Sequence, residues 1–207
     1  MSKFVITIGR QTGSRGRIIG RQLAEKLGVK CYDKEILTVA AKESGYSEDI
    51  FKYHDERPTN SFLFNLVMDS YSMGYPMSPY SDLPLSQKVF VEQFNTIKKI
   101  ANQESCVMIG RCADYALRDY PNLLRIFIHA DLDYRAENIA KEDNISIDKA
   151  RDVCQKTDKK RASYYNYYSD MKWGDAITYD LSINSHVLGI EGTADYLEKY
   201  VRAALKI

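Results

Sequence analysis

The chain has 207 residues, 44% of them hydrophobic and 28% charged, with a net charge of +1. That length is enough for one sizeable core. The near-zero charge gives no strong global field toward nucleic acid or an anionic membrane, so any anion site must come from local clusters. There is no apolar run of about 18 residues, the length a membrane helix needs.

The chain opens with "KFVITI", a short apolar run rich in β-branched residues that predicts a buried strand. A loop with glycines follows, then "RIIGRQLAEKLG", a helix in which Ile19, Leu23 and Leu27 recur every fourth residue and Gly28 marks the end. "VKCYD" reads as a second strand and "KEILTVAAKESG" as a second helix, stopped by Gly45. The stretch from Tyr46 to Leu85 holds four of the five prolines and reads as an irregular, mobile or loosely helical insertion, with a helix near Phe62–Met68. Ser86 is then placed to cap "QKVFVEQFNTIKKIANQE", a helix with Phe90, Phe94, Ile97 and Ala101 on one face.

"CVMIG" and "LLRIFIHA" read as strands three and four. A long polar helical region runs from about Leu132 to Tyr168, "YDLSIN" is a fifth strand, and "GTADYLEKYVRAALK" closes the chain as a helix. Strands alternating with helices predict an α/β fold with a parallel sheet covered on both faces. In such sheets ligands bind at the carboxyl ends of the strands. Polar clusters follow three of those ends: "GRQTGSRGR", "YDKE" and "GRCADY".

The first cluster has the layout of a phosphate-binding loop, in which backbone N–H groups at a helix N-terminus face an anion. Gly13, Ser14 and Gly16 supply the backbone donors. The G-x-x-x-x-G-K-[ST] pattern is not met: Ser14 stands at its sixth position and no Lys-Ser/Thr pair follows. Arg10, Arg15, Arg17 and Arg21 lie within twelve residues instead. Guanidinium groups offer phosphate bidentate contacts that lysine cannot make. An exposed turn with surface arginines is the plain alternative. Cys31, Cys106, Cys112 and Cys154 form no C-x-x-C pair, and His54, His129 and His186 are scattered, so no protein-held metal site is expected. Unpaired cysteines and a first strand with no signal-peptide form ahead of it point to a reducing, cytoplasmic setting.

"ITIGRQTGSRGRIIGRQLAEKLGVKCYDKEIL" resembles the opening of the cytidylate kinase-like family. "VMIGRCADYAL", "TDKKRASYY" and "WGDAITYDLSINSHVLGIE" resemble three later segments of that family, in the same order. The resemblance implies a single P-loop kinase domain over residues 1–207. Its fold would be a P-loop NTPase-like three-layer sandwich, with a five-stranded sheet of order 2-3-1-4-5. Residues 46–85 would form the insertion that grips a nucleoside monophosphate, with Asp55, Glu56 and Arg57 as its charged centre, and residues 132–170 a helical lid. The chain departs from the family at Gly9, where a serine is usual, at Arg15, where a glycine is usual, and at Asn138, where a lid arginine is often found.

The implied activity is transfer of the γ-phosphoryl of ATP, with Mg2+, to a nucleoside monophosphate such as CMP or dCMP. Arg10, Gly13, Ser14, Arg15, Gly16 and Arg17 would bind the ATP phosphates, with Arg17 as the cation in place of lysine. Asp33 would orient the acceptor or magnesium-bound water, or simply cap the following helix. Arg111 and Asp114 would hold the acceptor. Arg161 would swing over the phosphates, and Asp158 would hold it or meet the acceptor base. Arg135 has a plain helical reading as the i,i+4 partner of Asp131. The tyrosines at 164, 165, 167 and 168 would pack between lid and insertion, stack on a base or form a homodimer contact. Two other readings stand beside this one: a nucleotide-binding regulatory protein without phosphoryl transfer, and a kinase of another small metabolite.

Overall fold

The computed structural model describes residues 3–56 and 84–207. The expected helix near Phe62–Met68, Arg57 and most of the 46–85 insertion lie outside the described residues. In chain order the elements are β1 (Val5–Arg10), α1 (Gly16–Leu27), β2 (Lys30–Tyr32), α2 (Glu35–Ser44), α3 (Glu48–His54), α4 (Leu85–Gln103), β3 (Cys106–Ile109), α5 (Ala113–Ala116), β4 (Leu123–His129), α6 (Leu132–Asp143), α7 (Ile147–Tyr168), β5 (Leu181–Asn184) and α8 (Ser185–Leu205). The strands form one five-stranded sheet in the order β2-β3-β1-β4-β5. Each neighbouring pair is parallel, with Ile6 level with Val107 on one side and Leu124 on the other.

The two-residue period of a strand divides the sheet's side chains between two cores. Val5, Cys106 and Met108 face one layer, where Phe90, Phe94 and Ile97 of α4 meet Tyr164, Tyr165 and Tyr168 of α7. Ile6, Ile8, Val107, Ile109, Ile126 and Ile128 face the other, against Ile19 and Leu23 of α1 and Leu197 and Val201 of α8. The central strands are therefore apolar on both faces, which is why they read as continuous runs. Burying each such side chain is worth roughly 1.5–3 kcal/mol. Among the described residues no helix is long and apolar enough to cross a membrane, and all four cysteines are free.

Glu48–His54 is a helix within the stretch expected to be irregular or loosely helical, opened by Glu48 and Asp49 in its first turn. Acidic side chains there complement the helix dipole. Several other local expectations change. The next helix begins at Leu85 behind Pro84, whose carbonyl accepts the Gln87 N–H at 2.9 Å, so Ser86 lies inside it and is not its cap. The long lid segment is two helices, separated where Asn144 takes a left-handed φ of 52°. The last helix starts at Ser185, earlier than expected, because Asn184 caps it and a non-helical Gly189 interrupts it.

Gly9 accounts for one departure from the family pattern. A Cβ at this position would lie 2.7 Å from Phe127 Cδ2 and 3.2 Å from Tyr179 Oη. Phe127 and Tyr179 occupy the space a serine side chain would need.

Candidate active site

The loop between β1 and α1 turns through left-handed backbone at Gly13 (φ 78°) and Arg15 (φ 60°). Ser14 is fully buried and acts inside the loop: its Oγ donates to the Gln11 carbonyl at 2.8 Å and accepts the Gly16 N–H at 3.4 Å. The Ser185 hydroxyl donates to the Ser14 carbonyl at 2.7 Å, which fastens the turn after β5 to the loop. No side chain caps α1 and its first turn holds no acidic residue. Its N-terminal N–H groups therefore present the positive end of the helix dipole to the loop. A cavity of about 160 Å³ opens there, lined by Thr12, Gly13, Arg15, Gly16 and Arg17, with Ile18 and Ile139 as an apolar edge.

Asp33, just past β2, is buried and bridges two arginines. Arg17 Nε lies 2.6 Å from Oδ2 and Arg111 Nη1 lies 2.9 Å from Oδ1. Burial pushes its carboxyl up, but the hydrogen bond and charge of Arg111, with Arg17 behind them, outweigh burial and hold Asp33 below the ordinary range. Arg111 itself follows β3 in left-handed backbone (φ 57°) and carries Asp55 on its other nitrogen at 2.9 Å. Burial, reinforced by the neighbouring Glu56 charge, leaves the Asp55 carboxyl raised in spite of Arg111.

A second set of ion pairs crosses from the loop to the lid. Glu56 binds Arg10 Nη1 at 2.7 Å and Arg161 Nε at 2.9 Å. Arg161 Nη1 donates to Thr12 Oγ1 at 3.0 Å. Asp158, one turn before Arg161, accepts the Thr12 N–H at 2.7 Å and the Arg135 Nη1–H at 2.8 Å. Arg135 is buried and also donates to the Thr12 carbonyl at 3.2 Å. Asp158 thus meets Arg135 and the loop, and Arg135 pairs with Asp158, not with Asp131. Asn138, where a lid arginine was missed, donates to the Gly13 carbonyl at 2.9 Å. Arg15 lines the loop cavity while it pairs with α6, reaching Glu142 at 3.0 Å and Asn138 Oδ1 at 3.2 Å. Helices α6 and α7 thus lie against the loop.

A much narrower cavity of about 20 Å³, the space of roughly one water molecule, sits behind this, against the ends of β1 and β3, lined by Thr7, Glu56, Arg111, Asp114, Tyr165 and Tyr179 among others. Arg10 and Arg161 line both cavities. Asp114 is bonded by the Tyr165 hydroxyl at 2.6 Å, not by Arg111, and burial raises its carboxyl. Phe90 stacks on Tyr168 at 3.9 Å between centroids, and Tyr164 and Tyr165 are buried beside it, so these rings pack within the core.

Of the expected residues, Arg10, Gly13, Arg15, Gly16, Arg17 and Arg161 line the loop cavity, and Arg10, Arg111, Asp114 and Arg161 the inner one. Ser14, Asp33 and Asp158 stand behind these walls and bond to the residues that form them. Sequence reasoning gave Thr12 no part, left Arg135 in a local pair and assigned Glu56 no partner. The partners of Glu56 stand 46 and 105 positions away, and no local pattern carries such a pairing. The cluster joins a loop built for phosphate to a second pocket through two shared guanidiniums, which suits moving a phosphoryl group between two bound molecules.

Comparison with known proteins agrees with this geometry. The model of the cytidylate kinase-like family matches residues 5–187. A protein named cytidylate kinase from Pyrococcus horikoshii is 26% identical over 192 residues, 92% of this chain and 84% of its own. One from Methanocella arvoryzae is 24% identical over 199 residues, covering 96% and 97%. Among solved structures, an uncharacterized protein from Eubacterium ventriosum is 28% identical with a TM-score of 0.69, covering 96% of this chain and 98% of that one. A shikimate kinase from Bacteroides thetaiotaomicron shares the fold at 13% identity and a TM-score of 0.53, covering 97% and 99%.

Proposed function

The chain belongs to the cytidylate kinase-like family, and from that premise we propose that it transfers the γ-phosphoryl group of ATP to a small acceptor, a nucleoside monophosphate with CMP or dCMP first. Family membership supports a phosphotransferase of nucleotides or small metabolites. The observation that carries the reading is the pair of cavities sharing Arg10 and Arg161.

In this reading residues 1–207 act as one kinase domain. The N–H groups of Gly13, Ser14 and Gly16 hold the ATP phosphates. Those of Ser14 and Gly16 exchange their long bonds to the Gln11 carbonyl (3.3 Å) and Ser14 Oγ (3.4 Å) for the ligand. Arg17 supplies the cation that the loop lacks in lysine. The acceptor enters beside Arg111 and Asp114, where the inner cavity must widen from about 20 Å³ to take it. Its oxygen attacks the γ-phosphorus in line, and the bond to the ADP oxygen breaks. Arg161 balances charge on the group in flight, and the closed lid keeps water from taking it. Asp158 holds the lid on Thr12.

Among the described residues no group of three or more acidic, histidine or cysteine side chains is placed to hold a metal. Mg2+ in kinases rests mostly on substrate phosphates with one or two carboxylates. Asp33, held ionised next to Arg17, suits that role, and Mg2+ there would neutralise phosphate charge. The unpaired cysteines suit a reducing cytoplasm.

A second reading, a kinase of another small metabolite, is favoured by one observation. Arg10, Arg111 and Arg161 are each already paired with a carboxylate of the chain, which suits an acceptor carrying no phosphate. A coupled ADP-release screen over nucleoside monophosphates and small hydroxylated metabolites separates the two.

A further inference from the structure

Glu56 sits where the two cavities meet. Its two oxygens lie 2.7 Å from Arg10 Nη1 and 2.9 Å from Arg161 Nε. Both guanidiniums also line the loop cavity, and Arg161 reaches on to Thr12 Oγ1. A phosphate oxygen pair between the same two groups would make the same contacts, since carboxylate and phosphate match the guanidinium fork alike. A phosphoryl group passing from a nucleotide on the loop to an acceptor in the inner cavity needs those two arginines. Glu56 holds them first.

Two further observations mark this carboxylate as held under constraint. Glu56 takes a φ of +50°, a left-handed backbone that a non-glycine residue keeps only where its surroundings over-determine it. The surroundings here are the two ion pairs and the bare backbone of Gly110. A Cβ at Gly110, itself at φ +73°, would overlap Arg10 Nη1 and lie 2.6 Å from Glu56 Oε1. The pair is packed into a space kept open by a missing side chain. Loss of the two arginine contacts frees Glu56 to return to ordinary backbone.

We propose that Glu56 is an internal anion filling an oxyanion site between Arg10 and Arg161, and that a phosphate-bearing ligand displaces it on binding. The inference rests on the reading of the two cavities as a phosphoryl-transfer site. It adds a cost to phosphate binding that the chain imposes on itself, so that the two arginines are released only to a ligand of higher charge than a carboxylate. It also reconciles the paired arginines with a phosphorylated acceptor.

The test is equilibrium binding of inorganic phosphate by calorimetry to the parent and to Glu56→Gln, which keeps the shape and removes the charge. Binding to the variant at least about tenfold tighter is expected, the scale of a charge-assisted contact no longer contested. Adding Arg10→Ala should abolish the gain. Equal or weaker binding by a variant with parental circular dichroism overturns the proposal, because a merely structural carboxylate gives no gain when neutralised. Should the variant fail to fold, hydrogen exchange of the parent decides. Saturating phosphate should speed exchange in peptides spanning Glu48 to Glu56, and unchanged or slower exchange overturns displacement. Both readouts are independent of turnover. A chain that releases ADP with no acceptor sinks the kinase reading while leaving the phosphate result to stand or fall alone.

Discussion

Thr12 and Asp158 meet across the mouth of the loop, the Thr12 N–H donating to Asp158 Oδ1 at 2.7 Å over 146 positions of sequence. The second oxygen of Asp158 holds Arg135 at 2.8 Å. One carboxylate thereby joins the loop to both lid helices. Asp158→Ala leaves a largely buried guanidinium without its counter-charge and a loop N–H without an acceptor. Breaking a buried pair from one side costs about 3–5 kcal/mol. Both partners keep some exposure, so the lower end applies. A melting temperature several degrees lower is expected, with kcat reduced at least tenfold by ADP release; a parental melting curve contradicts the role.

Arg17 and Arg21 are one helical turn apart and differ in what they reach. Arg17 lies 2.6 Å from buried Asp33, beside the loop, while Arg21 touches exposed Glu35 at 3.3 Å. Arg17→Ala should weaken ATP binding about tenfold to a hundredfold, the worth of a charge-assisted hydrogen bond. Arg21→Ala should change it little. Equal losses in a fluorescent-nucleotide titration move the cation role away from Arg17.

Gly9→Ser introduces the residue usual in the family into space held by Phe127 and Tyr179. Overpacking of this kind costs roughly 1–3 kcal/mol. A urea midpoint shifted down by that amount is expected, and a midpoint equal to the parent's shows that the two rings move aside freely.

Acid should destabilise the chain through Glu56 and Asp33. Glu56 has an ordinary value of 4.5; burial raises it, but Arg10, Arg161 and Arg111 outweigh burial and hold it far below in the folded chain. As pH falls the unfolded chain takes up the proton first, so the stabilisation is full above 4.5 and is lost as pH falls toward the folded value. Asp33 runs in the same direction. Asp55 and Asp114 are raised by burial, so their contributions run the other way and are lost as pH rises through their folded values. Urea midpoints between about pH 3 and 6 should fall less steeply for Glu56→Gln than for the parent. Parallel curves contradict this assignment.

The alternation of strands and helices and the glycine-bearing loop were plain in the sequence because local periodicity produces them. The strand order came from the resemblance, since alternation alone leaves it open. Ser86 misled because a capping serine and a proline start stand two residues apart, and the proline won. Asn144 hid the division of the lid, being a residue that tolerates left-handed backbone without declaring it. The site residues at strand ends were legible by position. Their pairing was not: Arg10 with Glu56, Arg135 with Asp158 and Arg161 with Thr12 are contacts between separate elements, 46, 23 and 149 positions apart, which no local pattern announces.

The lid separates a kinase from a binder. Arg161 contacts Glu56 and Thr12, so Arg161→Ala should lower kcat strongly while ADP affinity changes little. Arg161→Lys should recover only part of the rate, because lysine lacks the planar fork. Full kcat in Arg161→Ala passes the role to Arg135.

The central claim, phosphoryl transfer from ATP to a small acceptor, is tested most directly by coupled ADP release from the parent protein with Mg2+, across nucleoside monophosphates and small hydroxylated metabolites. The account predicts acceptor-dependent ADP release, fastest with CMP or dCMP and lost when Mg2+ is chelated. ADP release no faster with any acceptor than with none would contradict it.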